Sequence, residues 1–226
     1  MTYVIADVHG CHDNYLDFLN YIHFNDEDTL YIIGDLIDRG SNGIQLVQDV
    51  MKRKNVISIM GNHEHMLLPT LEELSYGDKS SQTGIIRDEV DMMPIGQKDT
   101  LIGFCQLNRK EQREIIDYLK SLPLYQNITV NSQKYILVHA GLPDFNGATD
   151  MAFYSEEELL FGSHDFYVNH FDDTIVIVGH LPTRYISGAK PDEIFKSKDT
   201  IAIDCGCGFG GQLGVLCLET GDELYF

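Results

Sequence analysis

Five short apolar runs along the chain each stop at a polar residue that can bind a metal ion. Short runs rich in Val, Ile and Tyr, bounded by glycine or polar residues, are typical of buried strands. Functional groups of open α/β sheets gather beyond the carboxyl ends of the strands, so we expect these five to reach one edge. The runs are 3–6 before Asp7, 30–34 before Asp35, 56–60 before Gly61-Asn62, 135–138 before His139 and 175–179 before His180.

Helical periodicity separates several of these strands. Apolar residues that recur three or four positions apart follow residues able to cap a helix. The pattern predicts helices behind caps at Asp13, Ser41 and Asn108, and a short helix that Ser155 and Glu158 open as a capping box.

Further strand-like pieces follow in quick succession after residue 124, at 128–130, 201–203, 215–218 and 224–226. With the earlier strand–helix units they predict an α/β fold of two mixed β-sheets packed face to face with flanking helices. We expect residues 1–226 to form a single domain. Residues 75–100 are rich in Gly, Asp and Ser and weakly periodic, which indicates a cap or loop beside the site.

Charge narrows the possible partners. The 35 acidic and 16 basic residues give a net charge of −19, a poor surface for nucleic acid or an anionic membrane. We expect a cytoplasmic protein, since no signal peptide and no membrane-spanning run is evident, and reduced thiols at its five cysteines. An anionic substrate would need local positive charge, which two divalent cations would supply.

The first two strand ends carry carboxylates in positions that suit metal ions. Asp7 and His9 stand two positions apart, so both side chains can bind one ion, and Asp35 lies between two turn-permitting glycines. A carboxylate can bridge two ions, which a histidine cannot. Two-metal hydrolases hold their ions about 3.5–4 Å apart, so a bridging carboxylate is expected and Asp35 is the candidate.

The later strand ends add neutral ligands. Asn62 offers a carbonyl oxygen, and the side chain of His63 beside it diverges, which leaves His63 for proton transfer. We expect His65 to be a surface or supporting histidine. His139 and His180 share their placement with the other ligand-bearing strand ends, so both are candidate ligands. A mixed oxygen and nitrogen set without thiolate favours Mn²⁺, Fe or Zn²⁺ over Ca²⁺.

Five motifs, taken in order, resemble the phosphoprotein phosphatase branch of the calcineurin-like metallophosphoesterases, especially its small bacterial and phage serine/threonine phosphatases. Residues 203–213 resemble the closing segment of that family as well. The motifs are Asp7-Val-His9-Gly10, Gly34-Asp35-Leu-Ile-Asp38-Arg39-Gly40, Gly61-Asn62-His63-Glu64, His139-Ala-Gly141 and Gly179-His180.

The resemblance implies a role for each matching residue and two divalent metal ions, Mn²⁺ above all, with Fe or Zn²⁺ as alternatives. His63, oriented by Asp38, would protonate the leaving oxygen, and Arg39 would bind the phosphate. Asp204 would be structural. One ion would be held by Asp7, His9 and Asp35, and the other by Asp35, Asn62, His139 and His180.

The sequence departs from the family at a second phosphate-binding arginine. Many members carry this arginine after a Leu-Leu-Trp-like stretch, where Ser163 stands here. Arg184, four residues beyond His180, is one possible replacement, and Arg87 in the predicted cap is another.

Three functions remain open from the sequence. The leading expectation is hydrolysis of a phosphomonoester, phosphoserine or phosphothreonine and also phosphotyrosine in a protein, by direct attack of a metal-bridging hydroxide. The alternative is a dinucleoside polyphosphate hydrolase such as a diadenosine tetraphosphatase. Symmetrically cleaving relatives usually lack the acid at the position of Asp38, which argues mildly for the monoesterase and leaves asymmetric cleavage open. The third is a non-catalytic binding protein, which should have lost residues that this chain retains.

Overall fold

Two five-stranded sheets form the centre of the protein. The computed structural model describes residues 1–77, 96–143 and 151–226. The first sheet has the order β10-β9-β1-β2-β3 and consists of β1 (Thr2–Ile5), β2 (Thr29–Ile32), β3 (Val56–Ser58), β9 (Gly214–Cys217) and β10 (Glu223–Tyr225). The second has the order β4-β5-β6-β8-β7 and consists of β4 (Tyr125–Val130), β5 (Gln133–Val138), β6 (Thr174–Val178), β7 (Phe195–Ser197) and β8 (Thr200–Ala202).

Both sheets are mixed, as predicted. In the first, β1, β2 and β3 are parallel, and β9 pairs antiparallel with both β1 and β10. In the second, β5, β6 and β8 are parallel, while β4 and β7 pair antiparallel with β5 and β8. The register aligns Ile5 with Ile32 and Val138 with Val178. The five ligand-bearing strands therefore end together, but at one end of a sandwich and not at the edge of one sheet.

Six helices of the described residues flank the sheets, and two of the four predicted caps are wrong. Asn108 and the Ser155–Glu158 capping box cap their helices, whereas α1 and α2 begin after Cys11 and Asn42 without a side-chain cap. The helices are α1 (His12–Tyr21), α2 (Gly43–Lys52), α3 (Asn62–Tyr76), α4 (Gln97–Gln106), α5 (Arg109–Ser121) and α6 (Glu156–Phe161).

Backbone contacts between the site loops explain the two wrong caps. The N–H of Gly10 donates to the carbonyl of Leu36, and the N–H of Asn42 donates to the carbonyl of Gly10. These bonds fix where the chain enters α1 and α2, so Asp13 lies inside the first turn of α1 and Ser41 precedes the cap.

The predicted cap at 75–100 falls largely on residues 78–95, which lie outside the described residues. Its two ends are helical, because α3 continues to Tyr76 and α4 starts at Gln97. The sequence pattern also missed β7, a three-residue strand that pairs antiparallel with β8.

Apolar side chains fill three layers that hold the strand ends in place. The layer between the sheets includes Val4, Ile33, Leu137 and Ile177. A second lies between the first sheet and helices α1 to α5, and a third covers the outer face of the second sheet. Within the described ranges, no helix is both long and apolar enough to cross a bilayer.

Candidate metal centre and active site

Left-handed backbone turns mark the loops that follow the strands. Non-glycine residues rarely adopt positive φ, at a cost on the order of 1–3 kcal/mol each. Of the eleven such residues in the described part of the chain, six are candidate site residues. The loops thus accept backbone strain to aim these side chains. The six, with φ in degrees, are Asp7 (52), His9 (47), Asp35 (56), Asp38 (68), Arg39 (63) and His180 (65).

Asp35 lies at the centre of the site, with each carboxylate oxygen facing a different histidine. Its Oδ2 is 3.4 Å from Nε2 of His9, and its Oδ1 is 3.5 Å from Nε2 of His139. Two groups of possible metal-binding atoms, each within 4.8 Å of one another, share this residue: His9 with Asp35 and His63, and Asp7 with Asp35 and His139. The geometry therefore suits a carboxylate that bridges two ions.

Asn62 and the two later histidines form the second half of the site. Oδ1 of Asn62 is 2.8 Å from Nε2 of His139 and 3.1 Å from Nδ1 of His180. The backbone N–H of His180 donates to both oxygens of Asp7, at 3.1 and 3.0 Å, and so joins the two sheets. The structure brings together all six predicted metal ligands.

Backbone carbonyls orient two of the candidate ligand histidines so that they could bind a metal. Nδ1 of His9 lies 2.9 Å from the carbonyl oxygen of Ile37, and Nδ1 of His139 lies 3.0 Å from that of Ile33. An N–H donated there leaves each Nε2 lone pair facing the centre. Burial lowers the pKa of His9 to about 3 and that of His180 to about 4, so both imidazoles are neutral at neutral pH.

The residues present fit divalent cations. Asp7 and Asp35 are buried at the site, close to the neutral imidazoles of His9 and His180. The pKa of Asp7 is raised well above its ordinary value by burial and by the charges of Asp204 and Asp35. Such repulsion between buried carboxylates is what a bound cation relieves, and the oxygen and nitrogen donors suit a transition metal.

His63 and Asp38 form a close pair at the edge of the centre. Nδ1 of His63 is 2.7 Å from Oδ2 of Asp38, and its side chain is 15% exposed where that of Asp38 is 2% exposed. Burial acts to lower the pKa of His63, but the hydrogen bond to Asp38 and the charges of Asp35 and Asp38 outweigh it, so this pKa is raised. His63 can therefore carry a proton at neutral pH.

Arg39 lies between two histidines of the site. Its Nη1 is 2.7 Å from Nε2 of His9, and its Nη2 is 3.2 Å from Nε2 of His63. Its guanidinium carbon is 3.9 Å from the centre of the Phe209 ring. The guanidinium is thus positioned for an anion that approaches both histidines.

The other residues singled out from the sequence lie elsewhere. Arg184 pairs with Asp192, Nε to Oδ1 at 2.6 Å, so part of its guanidinium is already engaged. Ser163 and His65 are exposed, and Arg87 lies outside the described residues. A second phosphate-binding arginine remains a prediction.

Glu64 is a site residue that the sequence reasoning missed. Its side chain is fully buried and accepts four backbone N–H bonds. Oε1 accepts from Leu36 and Ile37 at 2.8 and 3.2 Å, and Oε2 from Asp35 and Gly61 at 2.9 and 3.0 Å. The signal was its position three residues after Gly61, where a glutamate side chain can accept from the N–H of the residue that caps the helix. Glu64 thus holds the Asp35 loop against α3.

Asp204 is buried beside Asp7 and Asp35, and its structural role remains a prediction. Its Oδ1 accepts from the N–H of Gly206 at 2.9 Å, while Oδ2 has no hydrogen-bond partner among the described residues. Burial, with a further contribution from the charge of Asp35, raises the pKa of Asp204 to about 7. The unfolded chain releases this proton near pH 4. The folded protein therefore keeps the proton up to a pH about three units higher.

The free energy of unfolding of Asp204→Asn, relative to that of the wild type, is expected to increase as the pH rises from about 5 to about 7. In that window the wild-type folded state binds the extra proton, so its free energy of unfolding falls, whereas asparagine does not titrate. Chemical unfolding of both chelator-treated proteins across the window measures the difference, and the titrations of groups far from Asp204 cancel. Parallel curves would contradict the burial argument.

The fold and the site together define a class, the metal-dependent phosphoesterases. The chain belongs to the calcineurin-like phosphoesterase family, whose sequence model matches residues 2–203. This confirms the family and the enzyme class that the motifs indicated.

Curated relatives narrow the comparison. A symmetrical bis(5′-nucleosyl)-tetraphosphatase from Nitrosococcus oceani is 32% identical over 144 residues, which cover 62% of this chain and 44% of the relative. The chain thus spans about half the length of the symmetrical relatives. In the relative from Erwinia tasmaniensis, for example, the match covers 53% of the length. The asymmetrical tetraphosphatase PrpE of Halalkalibacterium halodurans is 26% identical, with 94% of this chain and 88% of the relative covered.

Solved structures agree on the fold alone, because their identity to this chain is low. One, provisionally assigned as a diadenosine tetraphosphatase, has a TM-score of 0.68 at 19% identity and covers 100% of this chain and 92% of its own. A protein serine/threonine phosphatase from Saccharomyces cerevisiae has a TM-score of 0.63 at 15% identity, covering 100% and 79%. The curated relatives above are tetraphosphatases, so the expected protein serine/threonine phosphatase is not supported.

Proposed function

We propose that this chain hydrolyses dinucleoside polyphosphates and cleaves them asymmetrically. An asymmetrical tetraphosphatase matches over most of both chains, and this observation carries the proposal. The close pair of His63 and Asp38 supports asymmetric cleavage, because symmetrically cleaving relatives usually lack this acid. Under this proposal the substrate is a small phosphate ester and not the phosphomonoester group of a phosphoprotein.

The side chains would share the work of the reaction. Asp7, His9, Asp35, Asn62, His139 and His180 would hold two divalent ions. When bound, such ions lower the pKa of water and neutralise phosphate oxygens. Arg39 would donate two N–H bonds to the reacting phosphate. His63 would give its proton from Nε2 to the leaving oxygen, while Asp38 holds the ring through Nδ1 and stabilises its charge.

The charge of the chain supports this division of roles. A dinucleoside polyphosphate carries several negative charges and meets a protein of net charge −19. Among the described residues, Arg39 is the guanidinium within hydrogen-bonding distance of the candidate site histidines. Cations at the buried carboxylates would therefore supply most of the attraction for the substrate.

Product analysis tests the proposal. We expect the purified protein, supplied in turn with Mn²⁺, Fe²⁺ and Zn²⁺, to convert diadenosine tetraphosphate into equal amounts of ATP and AMP, separated by anion-exchange chromatography. Two molecules of ADP per substrate would show symmetric cleavage instead. Faster turnover of a phosphopeptide would instead favour the protein phosphatase function. If no phosphate ester is hydrolysed, the non-catalytic binding protein would be favoured. Metal analysis of the same preparation identifies the ion.

A further inference from the structure

An aromatic side chain stands beside the site without a role in the chemistry. Phe209 ends the tight turn Cys207–Phe209, which left-handed glycines flank at Gly206 (φ 75°) and Gly210 (φ 74°). The turn packs closely on a metal-ligand candidate, because a Cβ added at Gly208 would lie 2.7 Å from the His9 side chain. This packing directs Phe209 outward, and its side chain remains 47% exposed.

The ring of Phe209 also contacts the phosphate-binding candidate. The guanidinium carbon of Arg39 lies 3.9 Å from the ring centre, a distance at which the cation and the ring attract each other. The same guanidinium reaches His9 and His63. The ring therefore offers its remaining exposed surface close to the place where a phosphate would meet Arg39.

We propose that Phe209 is a nucleobase-stacking residue, which binds the base of the nucleoside joined to the phosphate that Arg39 holds. This inference rests on the proposed function. A bare aromatic ring suits such a base because stacking tolerates any base, and each stacked base contributes roughly 1–3 kcal/mol, or about 5- to 150-fold in binding. Phe209 would thus make the site prefer nucleotides over phosphate esters that lack a base.

A second exposed aromatic residue provides the matched control. Phe161 is 39% exposed and lines an open groove with His65, Met66 and Pro69, along the outer face of α3. Its ring lies 6.2 Å from that of His65 and makes no ring contact with Arg39 among the described residues. A base bound in this groove would depend on Phe161 and not on Phe209.

The kinetic test compares two substrates with the same phosphoanhydride bond. Phe209→Ala should reduce kcat/KM for tripolyphosphate only about 2- to 5-fold, the size of the lost contact with Arg39. The value for diadenosine tetraphosphate should fall more, so that the ratio of its kcat/KM to that for tripolyphosphate decreases at least about 5-fold. Phe209→Tyr should restore the ratio, and Phe161→Ala should leave it unchanged. An unchanged ratio in Phe209→Ala, or a fall in Phe161→Ala instead, would overturn the proposal.

A binding test does not depend on turnover. The chain has no tryptophan, so Phe209→Trp introduces a single indole at the proposed stacking position. AMP should quench its fluorescence, and ribose 5-phosphate should not; equal responses to both would overturn the proposal. Failure of the wild type to hydrolyse diadenosine tetraphosphate would overturn the proposed function alone, and the quenching result would then decide the role of Phe209.

Discussion

His63→Ala is expected to reduce kcat by roughly 10²- to 10⁴-fold, the usual contribution of a positioned general acid. The raised pKa of His63 and its 2.7 Å contact with Asp38 keep a proton available at Nε2, and alanine removes that proton. The metal content should stay near that of the wild type, because His63 is not among the six predicted ligands. Steady-state kinetics with metal analysis of the same samples measures both quantities.

His65→Ala is the matched control for this prediction. His65 lies on the same helix two residues later and is exposed, so its loss should leave kcat and metal content unchanged. Loss of bound metal in His63→Ala would mean that His63 is a ligand, as its place in one of the two possible metal-binding groups would allow. A kcat close to that of the wild type would remove the proton-donor role.

Glu64→Ala is expected to destabilise the fold by on the order of 3–5 kcal/mol, because it leaves four buried backbone N–H groups without an acceptor. For a chain of this size, this corresponds to a fall in Tm of about 10 °C. The lost bonds hold Asp35 and its loop, so bound metal should fall as well. Thermal unfolding and metal analysis measure these effects.

Two further variants make this result specific. Glu64→Gln keeps the shape of the side chain but turns an NH₂ group towards two backbone donors, so it should also be destabilised. Glu73→Ala changes an exposed glutamate of the same helix and should leave Tm nearly unchanged. A wild-type Tm in Glu64→Ala would contradict the inferred support of the Asp35 loop.

Local pattern alone predicted much of the fold. Short apolar runs rich in Val, Ile and Tyr can be seen from neighbouring residues alone, so the strands before Asp7, Asp35 and His139 were identified within one or two residues. The caps at Asp13 and Ser41 failed for the opposite reason. Their helices start where hydrogen bonds between Gly10 and distant loop residues place them, and no local pattern records such bonds.

The long-range contacts of single side chains account for the rest. The local sequence predicts only that Glu64 accepts from the N–H of Gly61 at the start of its helix, yet it also accepts from the N–H of Asp35, 29 residues earlier. In the sequence, Phe209 is one apolar residue in a glycine-rich segment. Only the tertiary structure shows that its ring contacts Arg39. Neither role follows from spacing, because both depend on two loops that meet in space.

The sequence by itself determined which chemical groups this protein carries at its strand ends and that two sheets would bear them. Only the tertiary structure decided that the two oxygens of Asp35 face histidines from different sheets. The physical reason is that the direction of these side chains depends on left-handed backbone turns and on the packing of one sheet against the other. Both are held by contacts between residues far apart in the chain.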